Sequence, residues 1–250
     1  MTDVLALMNV KGGSGKTTIA RGLLSVADAR GLKVGFVDTD KTANFYEWAV
    51  QAHRQGLWSE AIEAHHIRDA TKLDALVTEI RDEGDLDLLI VDTPGDASAI
   101  HEVMFGLGDL VLCPTNLTAL AVDTAAKTAN SHYRLRQRIG DLDAIARFRL
   151  VVNAVDGRLT WPYRKQLLRI QNEPLVGDGT APPVERFACL ITHIKRRSAY
   201  VDIEGEGLLD RIIAGKTRRQ HIEHTHLLEA RAEMNALLDE CLALIREDPA

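Results

Sequence analysis

Ten residues into the chain, a short apolar run, DVLALMNV, gives way to Lys11-Gly12-Gly13-Ser14-Gly15-Lys16-Thr17-Thr18. Glycine at three of four positions lets successive backbone N–H groups turn inward around an anion. The helical spacing that follows, over residues 16–30 and ending at Gly31, aims the positive end of a helix at the same point. Lys16 is then placed for the β- and γ-phosphates of a nucleotide, and the Thr17 hydroxyl for Mg²⁺. A loop of this kind needs a strand before it and a helix after it, which commits the chain to an α/β fold.

The remaining sequence keeps that rhythm. Apolar strand segments at LKVGFVD, AIEAHHI, DLLIVD, DLVLCP (stopped by Pro114), RFRLVVNAV and VERFACLI alternate with helical spacing over 43–54, 69–83, 97–105, 118–139, 162–171 and 221–246. NEPLVGDGTAPP reads as a surface loop. Near-continuous apolar strands between helices predict a mostly parallel twisted sheet with helices on both faces, a Rossmann-like fold of the P-loop NTPase kind. The 250 residues suit a single domain over 1–250. No apolar run reaches the ~18–20 residues of a membrane span, and MTDVLALMNV lacks the basic start of a signal peptide. Cys113, Cys189 and Cys241 lie far apart and outside any CxxC pair, which points to reduced thiols and a cytoplasmic protein.

Two further strands end in carboxylates: Val37-Asp38-Thr39-Asp40, and Val91-Asp92-Thr93-Pro94-Gly95. Asp92, after four apolar residues, is placed to hold Mg²⁺ through a water. Ligands in parallel sheets bind at the carboxyl ends of strands, where all three motifs fall. The KGGxGKTT form, with Val10 where the usual loop has glycine and Lys11 next to it, resembles the deviant Walker A box of the ParA/MinD family. The resemblance implies an ATPase that uses ATP and Mg²⁺ and closes as a homodimer. Lys11 would reach across to the partner's ATP, and Gly12, Gly13, Ser14, Gly15, Lys16, Thr17 and Thr18 would form the cradle. Thr17, Asp38 and Asp92 would lie at the metal, Asp40 would orient the attacking water, and DTPG would act as the loop sensing the γ-phosphate. Asn153, closing LVVNAV, falls where family members often place an asparagine against adenine; as a turn residue it is explained equally well. Partition members of the family continue DxDPQ, whereas this chain has Asp40-Lys41-Thr42-Ala43-Asn44. With Trp48 and PTNLTALAVD, it is more like the VirC-type relatives, which act in conjugative or T-DNA transfer.

The net charge of −6 is unevenly distributed. Residues 131–170 hold nine Lys/Arg against three Asp/Glu, and residues 190–219 hold seven against four. ParA-like ATPases bind DNA without sequence preference through C-terminal basic residues. The resemblance therefore assigns DNA contact to Lys195, Arg196 and Arg197 and to Arg218 and Arg219; a solvated charged face is the plain alternative. It also implies a nucleoid-associated location and a ParB-like or relaxosome-type partner that stimulates hydrolysis. Three rival readings share the loop. A MinD-like membrane-positioning ATPase needs a basic amphipathic C-terminal helix, whereas residues 220–250 are net acidic and give no reason for a membrane partner. An iron protein of the nitrogenase-reductase kind needs a second cysteine matching Cys113. The third is a P-loop enzyme acting on a small molecule, against which the basic patches count mildly.

Overall fold

The computed structural model describes residues 1–96, 98–140, 145–172, 189–215 and 221–247, the side chains of 221–223 excepted. Six strands, β1 (Asp3–Leu7), β2 (Val34–Asp38), β3 (Glu63–His66), β4 (Leu88–Asp92), β5 (Leu110–Thr115) and β6 (Arg147–Val152), form one sheet in the order β3-β2-β4-β1-β5-β6. Every pairing is parallel. The helices are α1 (Lys16–Ala29), α2 (Asn44–Arg54), α3 (Ala70–Glu83), α4 (Ala99–Leu107), α5 (Ala119–Ile139), α6 (Trp161–Asn172), α7 (Ala199–Glu206), α8 (Leu209–Gly215) and α9 (His221–Arg246).

Alternation along the central strands explains why they are almost wholly apolar. Leu5, Leu7, Phe36, Leu88, Ile90, Leu110 and Leu112 face a core shared with α1, α2, α7, α8 and α9. Val4, Ala6, Val37, Leu89, Val91, Val111 and Cys113 face a second core under α3, α4, α5 and α6. In the central strands β1, β2, β4 and β5, with both faces covered, no position after Asp3 holds a charged residue until the carboxyl ends, whereas the edge strands β3 and β6 carry Glu63, Arg147 and Arg149. There, register sets Leu7 beside Asp92 and Asp92 beside Asp38, so the functional loops of β1, β4 and β2 emerge side by side.

Pro114 does not end β5 as expected. It pairs with Val151, and the strand continues to Thr115. Its missing N–H would face β1, which has already left the ladder for the glycine loop, and the Asn9 side-chain amide donates to the Pro114 carbonyl at 2.8 Å. The strand expected over VERFACLI lies mostly outside the described residues; within them, Cys189 makes a single parallel bridge to Leu150. β6 stops at Val152, and Ala154 turns away with φ 54°. The NEPLVGDGTAPP loop also lies outside the described residues beyond Asn172, as do Arg218 and Arg219. Helices α7 and α8 were not foreseen. They are separated at Gly207 (φ 152°), where an added Cβ would lie 2.8 Å from the Leu57 carbonyl oxygen and 2.9 Å from the Ala52 Cβ.

Candidate functional site

The glycine loop spans the gap between β1 and α1. Gly13 (φ 74°) and Gly15 (φ 96°) take left-handed conformations, and Gly15 begins α1 with no side-chain cap, leaving the first-turn N–H groups pointing outward. Space above Gly12 and Gly13 is open, whereas a Cβ on Gly15 would lie 1.7 Å from the Asn153 Nδ2. That amide donates to the Ser14 carbonyl at 3.1 Å, so Asn153 buttresses the loop from the β6 side. Thr18 continues the first turn of α1, half-buried.

Lys16 is buried and folds back over the loop, its Nζ donating to the carbonyls of Asn9 (3.2 Å) and Lys11 (3.4 Å). Burial lowers its pKa, with the charges of Asp92 and Asp40 pulling the other way. The Thr17 hydroxyl donates to Asp92 Oδ2 at 2.5 Å. Asp92 Oδ1 is buried with no hydrogen-bond partner. Burial first, then the charges of Asp38 and Asp40, push the Asp92 carboxyl up to about 7 against the opposing pull of Thr17 and Lys16. An orphaned carboxylate oxygen beside a threonine hydroxyl, at the edge of a phosphate-sized loop, fits a hard divalent cation such as Mg²⁺.

Asp38 is fully buried. Its Oδ1 accepts from Asp40 N (2.9 Å), and its Oδ2 accepts from Phe45 N (2.8 Å) and Tyr46 N (3.0 Å), capping α2. Expected near the metal, this carboxylate already has both oxygens engaged by backbone, and it fixes the Asp40 loop to the start of α2. Asp40 Oδ1 accepts from the Thr42 N–H and hydroxyl. Partial burial raises its pKa, but those bonds, the Lys16 charge and the Gly95 N–H outweigh it and hold the carboxylate below its ordinary value. Gly95 itself lies against the glycine loop, its Cβ position 3.1 Å from the Gly12 nitrogen. Ala43, one residue before α2, has φ 52°, which stores backbone strain in the same loop.

These groups line one cavity of about 570 Å³ that includes Gly12, Lys16, Thr17, Asp38, Asp40 and Asp92. Lys11 is half-buried at the loop and does not line it. Sequence reasoning missed two residues here. His101 on α4 puts its Nε2 against the Pro94 carbonyl (3.2 Å) and the Thr93 hydroxyl (3.3 Å), with burial lowering its pKa, so a neutral ring pins the DTPG loop. Arg68 lines the cavity from the loop after β3. No motif marks either residue, although Arg68 stands at the carboxyl end of a parallel strand.

The basic residues assigned to DNA divide. Arg197 donates to Glu233 (2.6 Å) and Glu229 on α9 and is nearly buried, its pKa raised mainly by the Glu233 bond. Arg196 pairs with Asp156 at 3.0 Å but stays exposed, as does Lys195.

The VirC1 protein family matches residues 2–177. The chain belongs to the VirC1 family. The match runs from β1 through α6, so it includes the glycine loop, the Asp38, Asp40 and Asp92 strand ends and Asn153, while the 195–197 cluster lies beyond it. Protein virC1 of Rhizobium radiobacter is 28% identical over 176 residues, covering 70% of this chain and 74% of that protein. Its counterpart from Rhizobium rhizogenes is 28% identical over 179 residues. Among solved structures, this VirC1 family chain has the fold of the MinC:MinD cell division complex of Aquifex aeolicus. That likeness has a TM-score of 0.63 and 17% identity, and covers 100% of this chain and 98% of that one. A Borrelia burgdorferi protein described as a plasmid partition protein, bound to AMPPNP, matches with a TM-score of 0.60 and 13% identity over 96% and 99% of the two chains. The VirC-type resemblance carried by Trp48 and PTNLTALAVD is thereby borne out, as is the P-loop α/β fold of the ParA/MinD kind.

Proposed function

We propose that this VirC1 family chain is an ATP-hydrolysing switch that dimerises on ATP, binds DNA without sequence preference, and positions or segregates a DNA cargo such as a plasmid, a chromosome locus or a transfer complex. The observation that carries the reading is the division of the two loop lysines: Lys16 lies over its own cavity, and Lys11 does not line it. A cation at the loop but outside its own site is available to a second protomer's nucleotide.

The chain's residues divide the work. The N–H groups of Gly12–Thr17 cradle the phosphates, and Lys16 exchanges its two carbonyl partners for phosphate oxygens. Thr17 and Asp92 would hold Mg²⁺, which neutralises developing charge on the phosphates when bound. Asp40, kept ionised, orients a water. Asp38 keeps Asp40 in place, and Lys11 supplies charge to the partner's transition state much as an arginine finger does. In the closed dimer, Lys195 and Arg196 from two protomers face DNA, with Arg218 and Arg219 as further contacts; reopening after hydrolysis releases it. A ParB-like or relaxosome-type partner stimulates turnover. A membrane-anchoring role for the C-terminal helix is disfavoured, because Leu227, Ala230, Met234, Leu237 and Leu238 of α9 are buried in the core.

The test is fluorescence anisotropy on a random duplex with ATP, ADP or no nucleotide. ATP-dependent binding lost in both Lys16→Ala and Lys11→Ala is expected, with only Lys16→Ala losing ATP affinity. Equal DNA binding with and without ATP would overturn the switch.

A further inference from the structure

Three cations line the cavity. Lys16 comes from the phosphate loop; Lys41 and Arg68 come from the loops after β2 and β3. Arg68 has no place in the mechanism above, yet its position is closely controlled. The residue before it, Ile67, donates its N–H to the Asp38 carbonyl at 3.0 Å. His66 sets its Nε2 3.1 Å from the Asp40 carbonyl. The residue after it, Asp69, caps α3 by accepting from Lys72 N at 2.9 Å. Arg68 is therefore held between two fixed neighbours, on a loop fastened to the one that carries Asp40. Its side chain is exposed, and among the described residues it pairs with no carboxylate, whereas Arg21, Arg30, Arg81, Arg169, Arg196, Arg197 and Arg231 each have one.

Strand order decides what this guanidinium can reach. β3 lies three strands from β1, about 14 Å at the usual spacing near 4.8 Å. Phosphates cradled inside the glycine loop are out of range. The space above the Asp38 and Asp92 strand ends, into which the last phosphate of a triphosphate held by the glycine loop would extend, is within range. A planar fork with several N–H donors suits a terminal phosphate, which offers three oxygens to bind.

The geometry points to Arg68 as a terminal-phosphate contact that distinguishes a nucleoside triphosphate from a diphosphate and couples that phosphate to the Asp40 loop. This rests on the nucleotide reading above. A Thr17–Asp92 metal site and a Lys16 cradle engage both nucleotides; a contact from the β3 side engages only the longer one.

The experiment measures binding of fluorescent ATP and ADP analogues with Mg²⁺ to the full chain, as wild type, Arg68→Ala, Arg68→Lys and Lys16→Ala, with thermal melts to confirm folding. Arg68→Ala is expected to weaken the ATP analogue about tenfold or more and the ADP analogue less than about twofold. Arg68→Lys, a point charge without the fork, should fall between. Equal weakening of both analogues, or none, would overturn the assignment to Arg68 while Lys16→Ala still abolishes binding. A wild type that binds neither analogue would instead remove the nucleotide reading, and this inference with it.

Discussion

Asp92 shows at the scale of one residue what a buried carboxylate costs a fold. Burial at the end of β4 pushes its carboxyl up to about 7, well above the ~3.9 of an exposed aspartate. A group whose folded pKa is raised binds protons more readily folded than unfolded, so the protein without ligand is most stable at low pH within this window. It loses stability as pH rises from about 4 to about 7. Asp92→Asn carries no such charge, so denaturant unfolding of wild type should lose roughly 2 kcal/mol more than the variant between pH 5 and pH 8. The converse holds for ligand: Mg²⁺ requires the ionised form, so Mg²⁺-dependent nucleotide affinity should climb with pH to about 7 and then level off. Gly15 offers a second residue-scale test. An alanine there meets Asn153 at 1.7 Å and a φ of 96°. Gly15→Ala should destabilise by about 2 kcal/mol or more, and adding Asn153→Ala should recover only part of that, because the backbone penalty remains. The loop was legible in sequence because glycine spacing encodes backbone geometry directly. Asp38 was legible as important but not in its contacts, since capping α2 depends on where residues 45 and 46 turn. Arg68 and His101 were invisible because only tertiary structure brings them to the cavity.

Whole elements were legible where local signals agreed. α3 lies between Asp69 and Gly84, and α5 between Thr118 and Gly140, each with a capping side chain at one end and a left-handed glycine at the other. Pro114 misled because its effect depends on which neighbour its nitrogen faces, and that is a property of the sheet. α7 and α8 are short, broken at Gly207, and held by contacts far along the chain: Trp48 Nε1 donates to the Ile203 carbonyl at 2.6 Å, and Arg21 bonds Asn44 and Glu204. The same long-range logic changes how the 195–197 cluster reads. Arg197 joins this segment to α9 through Glu229 and Glu233, with Tyr200 donating to Glu233 at 3.0 Å. Removing one partner of a largely buried pair leaves the others uncompensated. Arg197→Ala should cost about 2–3 kcal/mol in a denaturant melt, whereas Lys195→Ala and Arg196→Ala should stay within about 0.5 kcal/mol. Loss of DNA binding in Arg197→Ala would therefore have to be corrected for lost folding before it could report on DNA.

For the whole molecule, the proposed DNA binding would ask a chain of net charge −6 to hold a polyanion. A single protomer offers Lys195 and Arg196 as an exposed pair, one of them already beside Asp156. Two contacts give weak, strongly screened attraction; doubling them on one face of a dimer changes the affinity far more than twofold, because the second pair binds at a high effective concentration. Nucleotide-controlled dimerisation would then be enough to turn DNA binding on and off without any change in the basic residues themselves. Sedimentation should show monomer without nucleotide, dimer with ATP, a persistent ATP dimer for Asp40→Ala, and monomer for Lys11→Ala despite ATP binding. DNA affinity should follow the same order. If the paired Lys195 and Arg196 neutralise four phosphates, they should contribute about −3.6 to the slope of the logarithm of the binding constant against the logarithm of salt. Lys195→Ala/Arg196→Ala should flatten that slope in the ATP state while leaving dimerisation intact. An unchanged slope would move the DNA face elsewhere on the dimer, and a flattening of only about 1.8 would mean that each protomer binds DNA by itself.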